Sequence, residues 1–139
     1  MRVVVLGGAG NFGARIVRAL RTDPQLELIA AGRRAQHVAG AEQVATASLD
    51  IAMADFPRLL GALRPELVIH CVGPFQGQDY RVAQAALEAG AHYLDLADGR
   101  DFVAGFARAN DVRARAVRLC AITGASTLPA LSGAGAGYW

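Results

Sequence analysis

Short apolar runs alternate along the chain with stretches whose apolar residues recur at helical spacing. Val3 to Leu6 is a continuous, β-branched run, the pattern of a strand buried on both faces. Phe12, Ile16, Val17 and Leu20 then fall on one helical face, with Arg15, Arg18 and Arg21 opposite, and Thr22-Asp23-Pro24 ends that helix. A second strand is expected over Leu26 to Ala31 and a third, weaker one over Val44 to Leu49. A helix from Asp55 to Leu63 stops at Arg64-Pro65, and Leu67 to Val72 is a fourth strand closed by Gly73-Pro74. Asp79 to Glu88 reads as a helix with Ala89-Gly90 as its glycine C-cap. His92 to Leu96, Phe102 to Arg115 and Val117 to Thr123 complete the series as strand, helix and strand.

Strands alternating with helices call for right-handed crossovers and a parallel sheet covered on both faces. Six such strands fit a three-layer, doubly wound α/β domain, the Rossmann arrangement with strand order 3-2-1-4-5-6. The expected domain is 1–124. From Gly124 the chain turns rich in Gly, Ala and Ser, and 125–139 is expected to be the start of a further, substrate-binding domain lying beyond Trp139.

Composition narrows the function. At 139 residues with 53% hydrophobic and 19% charged residues, the chain is one globular domain. No apolar run reaches the roughly 18–20 residues needed to span a bilayer, and Met1-Arg2 opens no secretory signal, so the expectation is a cytoplasmic protein without a membrane partner. The net charge of +2 is scattered, without the basic stripe that a nucleic acid partner needs. All 14 basic residues are arginine. The lack of lysine excludes Schiff-base chemistry, a Walker A loop and the Tyr-x-x-x-Lys pair of extended short-chain dehydrogenases. Cys71 and Cys120 have no metal-ligand spacing with each other or with His37, His70 and His92, so no metal is expected. Lying on strands separated by a third, they are expected as buried free thiols.

Gly8-Ala9-Gly10-Asn11-Phe12-Gly13 is a complete G-x-G-x-x-G that follows a strand and opens a helix, the context that separates a dinucleotide loop from a mere glycine-rich turn. Gly8 is expected to permit the tight turn, Gly10 to leave room for a pyrophosphate, and Gly13 to let the helix pack closely. The helix N-terminus adds unpaired amides and positive charge. About 20 residues on, where NAD-binding loops place an acid on the ribose 2′-hydroxyl, this chain has Gly32-Arg33-Arg34. Two guanidiniums suit a 2′-phosphate, unless both are simply solvated, so NADP(H) is favoured over NAD(H).

Asp50, after the third strand, is open between adenine contact and turn cap. Val72-Gly73-Pro74-Phe75 ends the fourth strand on the ligand edge, where the Gly-Pro corner admits the nicotinamide ribose or is only a turn, and Phe75 is expected to wall the nicotinamide. Asp95 and Asp98 end the fifth strand as substrate-positioning groups or helix caps. His70, inside an apolar run, reads as a core histidine. No catalytic group can be assigned.

The glycine loop, Gly32-Arg33-Arg34, the Val72-Gly73-Pro74-Phe75 corner, the helix ending Glu88-Ala89-Gly90 and Tyr93-Leu94-Asp95-Leu96 together resemble the NADP-binding domain of saccharopine dehydrogenase-like oxidoreductases, over nearly all of residues 1–132. The resemblance implies NAD(P)-dependent redox chemistry at a carbon–nitrogen or similar bond. It assigns the glycine loop, Arg33, Arg34 and Gly73-Pro74-Phe75 to the cofactor. It also implies that a second domain follows Gly124-Ala125-Ser126, binds a small-molecule substrate and forms a homodimer. The rival reading is a non-catalytic dinucleotide-sensing or partner-binding module on the same fold.

Overall fold

The computed structural model describes residues 1–126. Their elements run β1 (Arg2–Leu6), α1 (Asn11–Leu20), β2 (Glu27–Gly32), β3 (Ala45–Ser48), α2 (Phe56–Ala62), β4 (Leu67–His70), α3 (Arg81–Glu88), β5 (His92–Asp95), α4 (Arg100–Val117) and β6 (Ala121–Ile122). The strands form one sheet in the order β3-β2-β1-β4-β5-β6, with every pairing parallel. This is the doubly wound α/β order expected from the alternation.

The pleat explains the three layers. Val4 and Leu6 point to the face covered by α2, α3 and α4, where they meet Phe56, Leu60, Val82, Phe102 and Phe106. Val3 and Val5 point to the opposite face, against Val17 of α1 and Val38, Ala41 and Val44 of the loop between β2 and β3. That loop contains no helix, so its buried apolar residues do the covering. Arg21 Nε, reaching from behind α1, donates to the Gly40 carbonyl at 2.7 Å and holds the loop down.

Several boundaries differ from the expectation. β4 ends at His70; the Cys71 amide still reaches the Leu6 carbonyl at 2.9 Å, and the Val72 carbonyl beyond it is taken by the Gln78 side chain at 2.8 Å. Val117 belongs to α4, which ends with Arg118 in the left-handed region (φ 56). Only Ala121 and Ile122 then pair with β5. Gly90, at φ 78, closes α3 as expected, with the Ala91 amide returning to the Ala86 carbonyl at 2.9 Å. Leu128, Leu131, Tyr138 and Trp139, the apolar residues of the expected domain start, lie outside the described residues.

Candidate functional site

The carboxyl ends of β1, β2 and β4 meet where the strand order reverses, the position at which doubly wound sheets hold ligands. The glycine loop fills the corner between them. Gly7 makes the tight turn at φ 77, the task the sequence assigned to Gly8. Gly8 instead lies against β2, where a Cβ would stand 2.7 Å from that of Ala30. The amides of Gly7 and Gly8 both donate to the Ala31 carbonyl, at 2.7 and 3.1 Å, and the Gly10 amide donates to the Gly7 carbonyl at 2.8 Å. A Cβ on Gly13 would collide with the carbonyl of Gly7 and the Cα of Gly8, so only glycine lets α1 start this close.

Gly10 caps α1 with ordinary backbone angles (φ −76, ψ 174) and no side-chain cap. The amides of Asn11, Phe12 and Gly13 open the helix and have no partner four residues back. They face a ligand with the positive end of the helix dipole, a place for an anion. The exposed Ala9 and Gly10 present there only backbone and one methyl group.

Three clefts share walls along this edge. The first, about 530 Å³, is lined by Gly7, Ala9, Gly10, Gly32, Arg33, Arg34 and Gln36. Both arginines are exposed, and neither is in an ion pair among the described residues. The Arg33 carbonyl accepts from the Ser48 hydroxyl at 3.1 Å, which ties the turn to β3. The adjoining cleft, about 270 Å³, continues from Gly10 and Arg33 past Asp50 and Ile51 to Val72 and Gly73. Asp50 Oδ1 accepts the Ala52 amide at 3.0 Å, so this half-buried carboxylate both turns the chain and borders the groove. The other end is a cleft of about 510 Å³ between Phe12, Arg15 and Ile16 on one side and Gly73, Pro74, Gln76, Leu96, Asp98, Ala125 and Ser126 on the other.

Two aromatic assignments change. Phe12, expected on the buried helix face, is 60% exposed and overhangs this last cleft. Phe75, expected to wall the nicotinamide, borders the cleft but is only 4% exposed, packed edge-on to His70 and Phe102 with ring centres 5.0 and 5.4 Å apart. It supports the corner from inside the core. No local pattern in the sequence marks Gln78, whose amide holds the carbonyls of Val72 and Pro74 at 2.8 and 2.6 Å and so sets the corner. Arg15 and Gln76 were likewise not singled out.

His70 is a core residue. Its Nδ1 lies 3.0 Å from the Tyr93 hydroxyl, which donates to Asp95 Oδ2 at 3.0 Å, while Nε2 is buried without a partner. Because the Tyr93 proton goes to the carboxylate, His70 donates from Nδ1 and stays neutral. Burial holds its pKa down at about 4 and pushes that of Tyr93 up. Asp95 is fully buried and caps no helix, while Asp98 is exposed on the last cleft. Among the described residues no three His, Cys, Asp or Glu side chains gather around a metal site. No described helix is long and apolar enough to cross a membrane. Cys71 and Cys120 are free, but Cys120 is exposed rather than buried, because β6 begins only after it. Burial pushes the Cys71 thiol up to about 12.

Comparison with known proteins agrees with this geometry. Residues 3–126 match the family described as saccharopine dehydrogenase NADP binding domain. No curated protein matches the sequence. Among solved structures, saccharopine dehydrogenase (L-Glu forming) from Saccharomyces cerevisiae is similar with a TM-score of 0.64 at 14% identity, over 89% of this chain and 27% of that one. The TrkA-N domain of the inner membrane protein ybaL from Escherichia coli gives 0.60 at 12% identity, over 99% of this chain and 95% of that one. Triphenylmethane reductase from Citrobacter sp. gives 0.59 at 19% identity, over 88% and 48%. At such identities the solved structures carry the fold alone, and the chain spans 27% of the saccharopine dehydrogenase and 48% of the reductase. The family match over 3–126 carries the rest: the chain belongs to the saccharopine dehydrogenase NADP binding domain family and is an NADP(H)-binding domain.

Proposed function

We propose that the groove holds NADP(H) lengthwise, as the cofactor half of an NAD(P)-dependent oxidoreductase acting at a carbon–nitrogen or similar bond. The observation that carries this reading is the order of chemistries along one continuous groove. Two guanidiniums, in no ion pair among the described residues, stand at one end, the free amides of α1 in the middle and a largely apolar cleft at the other. Arg33 and Arg34 take the 2′-phosphate, and Asp50 with Ile51 borders the adenosine. Gly8 to Gly13 take the pyrophosphate, and Val72, Gly73 and Pro74 take the nicotinamide ribose. The cofactor supplies a hydride; the protein supplies position and electrostatics.

Neither His70 nor Tyr93 serves as proton donor in this scheme, since both are buried in the core. The substrate and its proton donor come from a second domain, which also makes the homodimer. Two free cysteines suit a reducing compartment, and a cytoplasmic location belongs to the same reading. The alternative is a non-catalytic dinucleotide-sensing or partner-binding module, which the same groove on the same fold would serve. NADPH oxidation on presentation of imine or carbonyl substrates separates the two, because a sensing module binds without turnover.

Calorimetric titration tests the cofactor assignment. Two charge-assisted contacts contribute about 1.5–3 kcal/mol each when well ordered. Exposure of both arginines reduces that, leaving a preference for NADPH over NADH of roughly tenfold. Equal affinities would remove the assignment of Arg33 and Arg34 to a 2′-phosphate.

A further inference from the structure

Asp95 ends β5 with a fully buried carboxylate that accepts four hydrogen bonds. Oδ1 takes the Ala97 amide at 3.0 Å, the Thr123 hydroxyl at 2.9 Å and the Gly124 amide at 2.9 Å. Oδ2 takes the Tyr93 hydroxyl at 3.0 Å, and the main-chain carbonyl takes the Ala125 amide at 2.9 Å. A buried carboxylate is tolerated only when its lone pairs are used in this way.

The distribution of these bonds is uneven. All three on Oδ1 come from two turns distant in sequence, the one after β5 and the one after β6. Those turns carry Leu96, Asp98, Ala125 and Ser126, which line the apolar cleft at the end of the groove. The turn after β5 is seated in its turn on the corner, since a Cβ on Gly99 would lie only 3.6 Å from the backbone of Phe75 and Gln76. One carboxylate oxygen thus joins two walls of the cleft, and one of those walls rests on the third.

We propose that Asp95 is a positioning residue for the nicotinamide half of the bound dinucleotide, joining on its Oδ1 the two turns that shape the cleft for that ring. The proposal rests on the direction of binding assigned above. Asp95 touches no ligand itself. It acts through Ala97, Thr123 and Gly124, so its loss opens the nicotinamide end of the groove and leaves the Arg33–Arg34 end intact.

The test compares NADPH with adenosine 2′,5′-bisphosphate, which carries only the adenosine end, by calorimetry on the full chain. The readout is the ratio of the two dissociation constants, which isolates what the nicotinamide half adds. In the parent chain NADPH binds the tighter. In Asp95→Asn that advantage falls about tenfold while the affinity for the bisphosphate is unchanged. Thr123→Val removes one bond and leaves the buried carboxylate whole, so it lowers the advantage several-fold even if the Asp95 variant does not fold. Tyr93→Phe removes the bond on Oδ2 and the partner of His70 Nδ1 but none of the three bonds on Oδ1, so it lowers the melting temperature without changing the ratio. An unchanged ratio in Thr123→Val, an equal loss of both ligands, or a parent ratio of one would overturn the proposal. A parent chain that binds neither ligand would instead overturn the reading of the groove on which it rests.

Discussion

Replacing Gly13 by alanine perturbs the tightest point of the glycine loop. A Cβ there would lie 2.7 Å from the carbonyl carbon of Gly7 and 2.9 Å from the Cα of Gly8, far inside the ~3.5–4.0 Å optimum for carbon pairs. Both neighbours are main chain, and both are tied to β2 through the Ala31 carbonyl. The loop therefore cannot step aside without weakening hydrogen bonds that contribute about 1 kcal/mol each. Overpacking costs about 1–3 kcal/mol, and the higher helix propensity of alanine at this position in α1 returns about 1 kcal/mol at most. A net loss of about 2 kcal/mol corresponds to a melting temperature lower by roughly 6–10 °C for a domain of this size. Gly10→Ala is the control. Its backbone angles suit any residue, and its Cβ would touch only the Gly7 carbonyl oxygen, at 3.0 Å. Its melting temperature should fall by no more than roughly 3 °C, under about 1 kcal/mol. NADPH affinity should fall more than tenfold, on the order of 1.4 kcal/mol, because the Cβ sits where the pyrophosphate approaches. Thermal unfolding by circular dichroism, with calorimetry on the same samples, reads both quantities. An unchanged or raised melting temperature in Gly13→Ala would refute the packing argument.

His70 has a folded-state pKa of about 4 against 6.5 for the free side chain, so the unfolded chain binds its proton first. Its contribution to stability is fully present above pH 6.5 and is lost as pH falls from 6.5 to about 4, by about 3 kcal/mol. Denaturant titrations across that window should show the slope in the parent and a flatter profile in His70→Gln; equal slopes would contradict the assignment. Cys120 is exposed, whereas burial raises the Cys71 thiol to about 12, so iodoacetamide at mildly alkaline pH should label Cys120 first. Mass spectrometry finding Cys71, half-buried where it lines the two clefts beside Gly73, modified as fast would count against this.

The strand order and layers were legible because β1, β2 and β4 carry continuous apolar runs and amphipathic stretches separate the strands. The glycine loop was legible because its spacing is bound to a strand and a helix on either side. What was not legible depended on side chains meeting across distance in sequence. Nothing local says that Phe12 turns outward over a cleft while Phe75 turns inward between His70 and Phe102. Asp95 looked like a helix cap or a substrate group. Its partners Thr123 and Gly124 lie 28 and 29 residues away and become neighbours only once β5 and β6 pair. The short β6 has the same origin: Val117 to Thr123 is apolar enough for a strand, but α4 claims Val117 and the turn at Arg118 takes the next residues.

The direction of the dinucleotide in the groove is the central claim, and amide chemical-shift mapping by NMR tests it most directly. Adenosine 2′,5′-bisphosphate should shift the amides of residues 7–13, Gly32 to Gln36, Asp50 and Ile51, and leave those of Gly73, Gln76, Leu96 and Asp98 unmoved. NADPH should shift both sets. Shifts centred on the opposite edge of the sheet, or a bisphosphate that moves the Gly73–Asp98 set instead of Gly32 to Gln36, would contradict it.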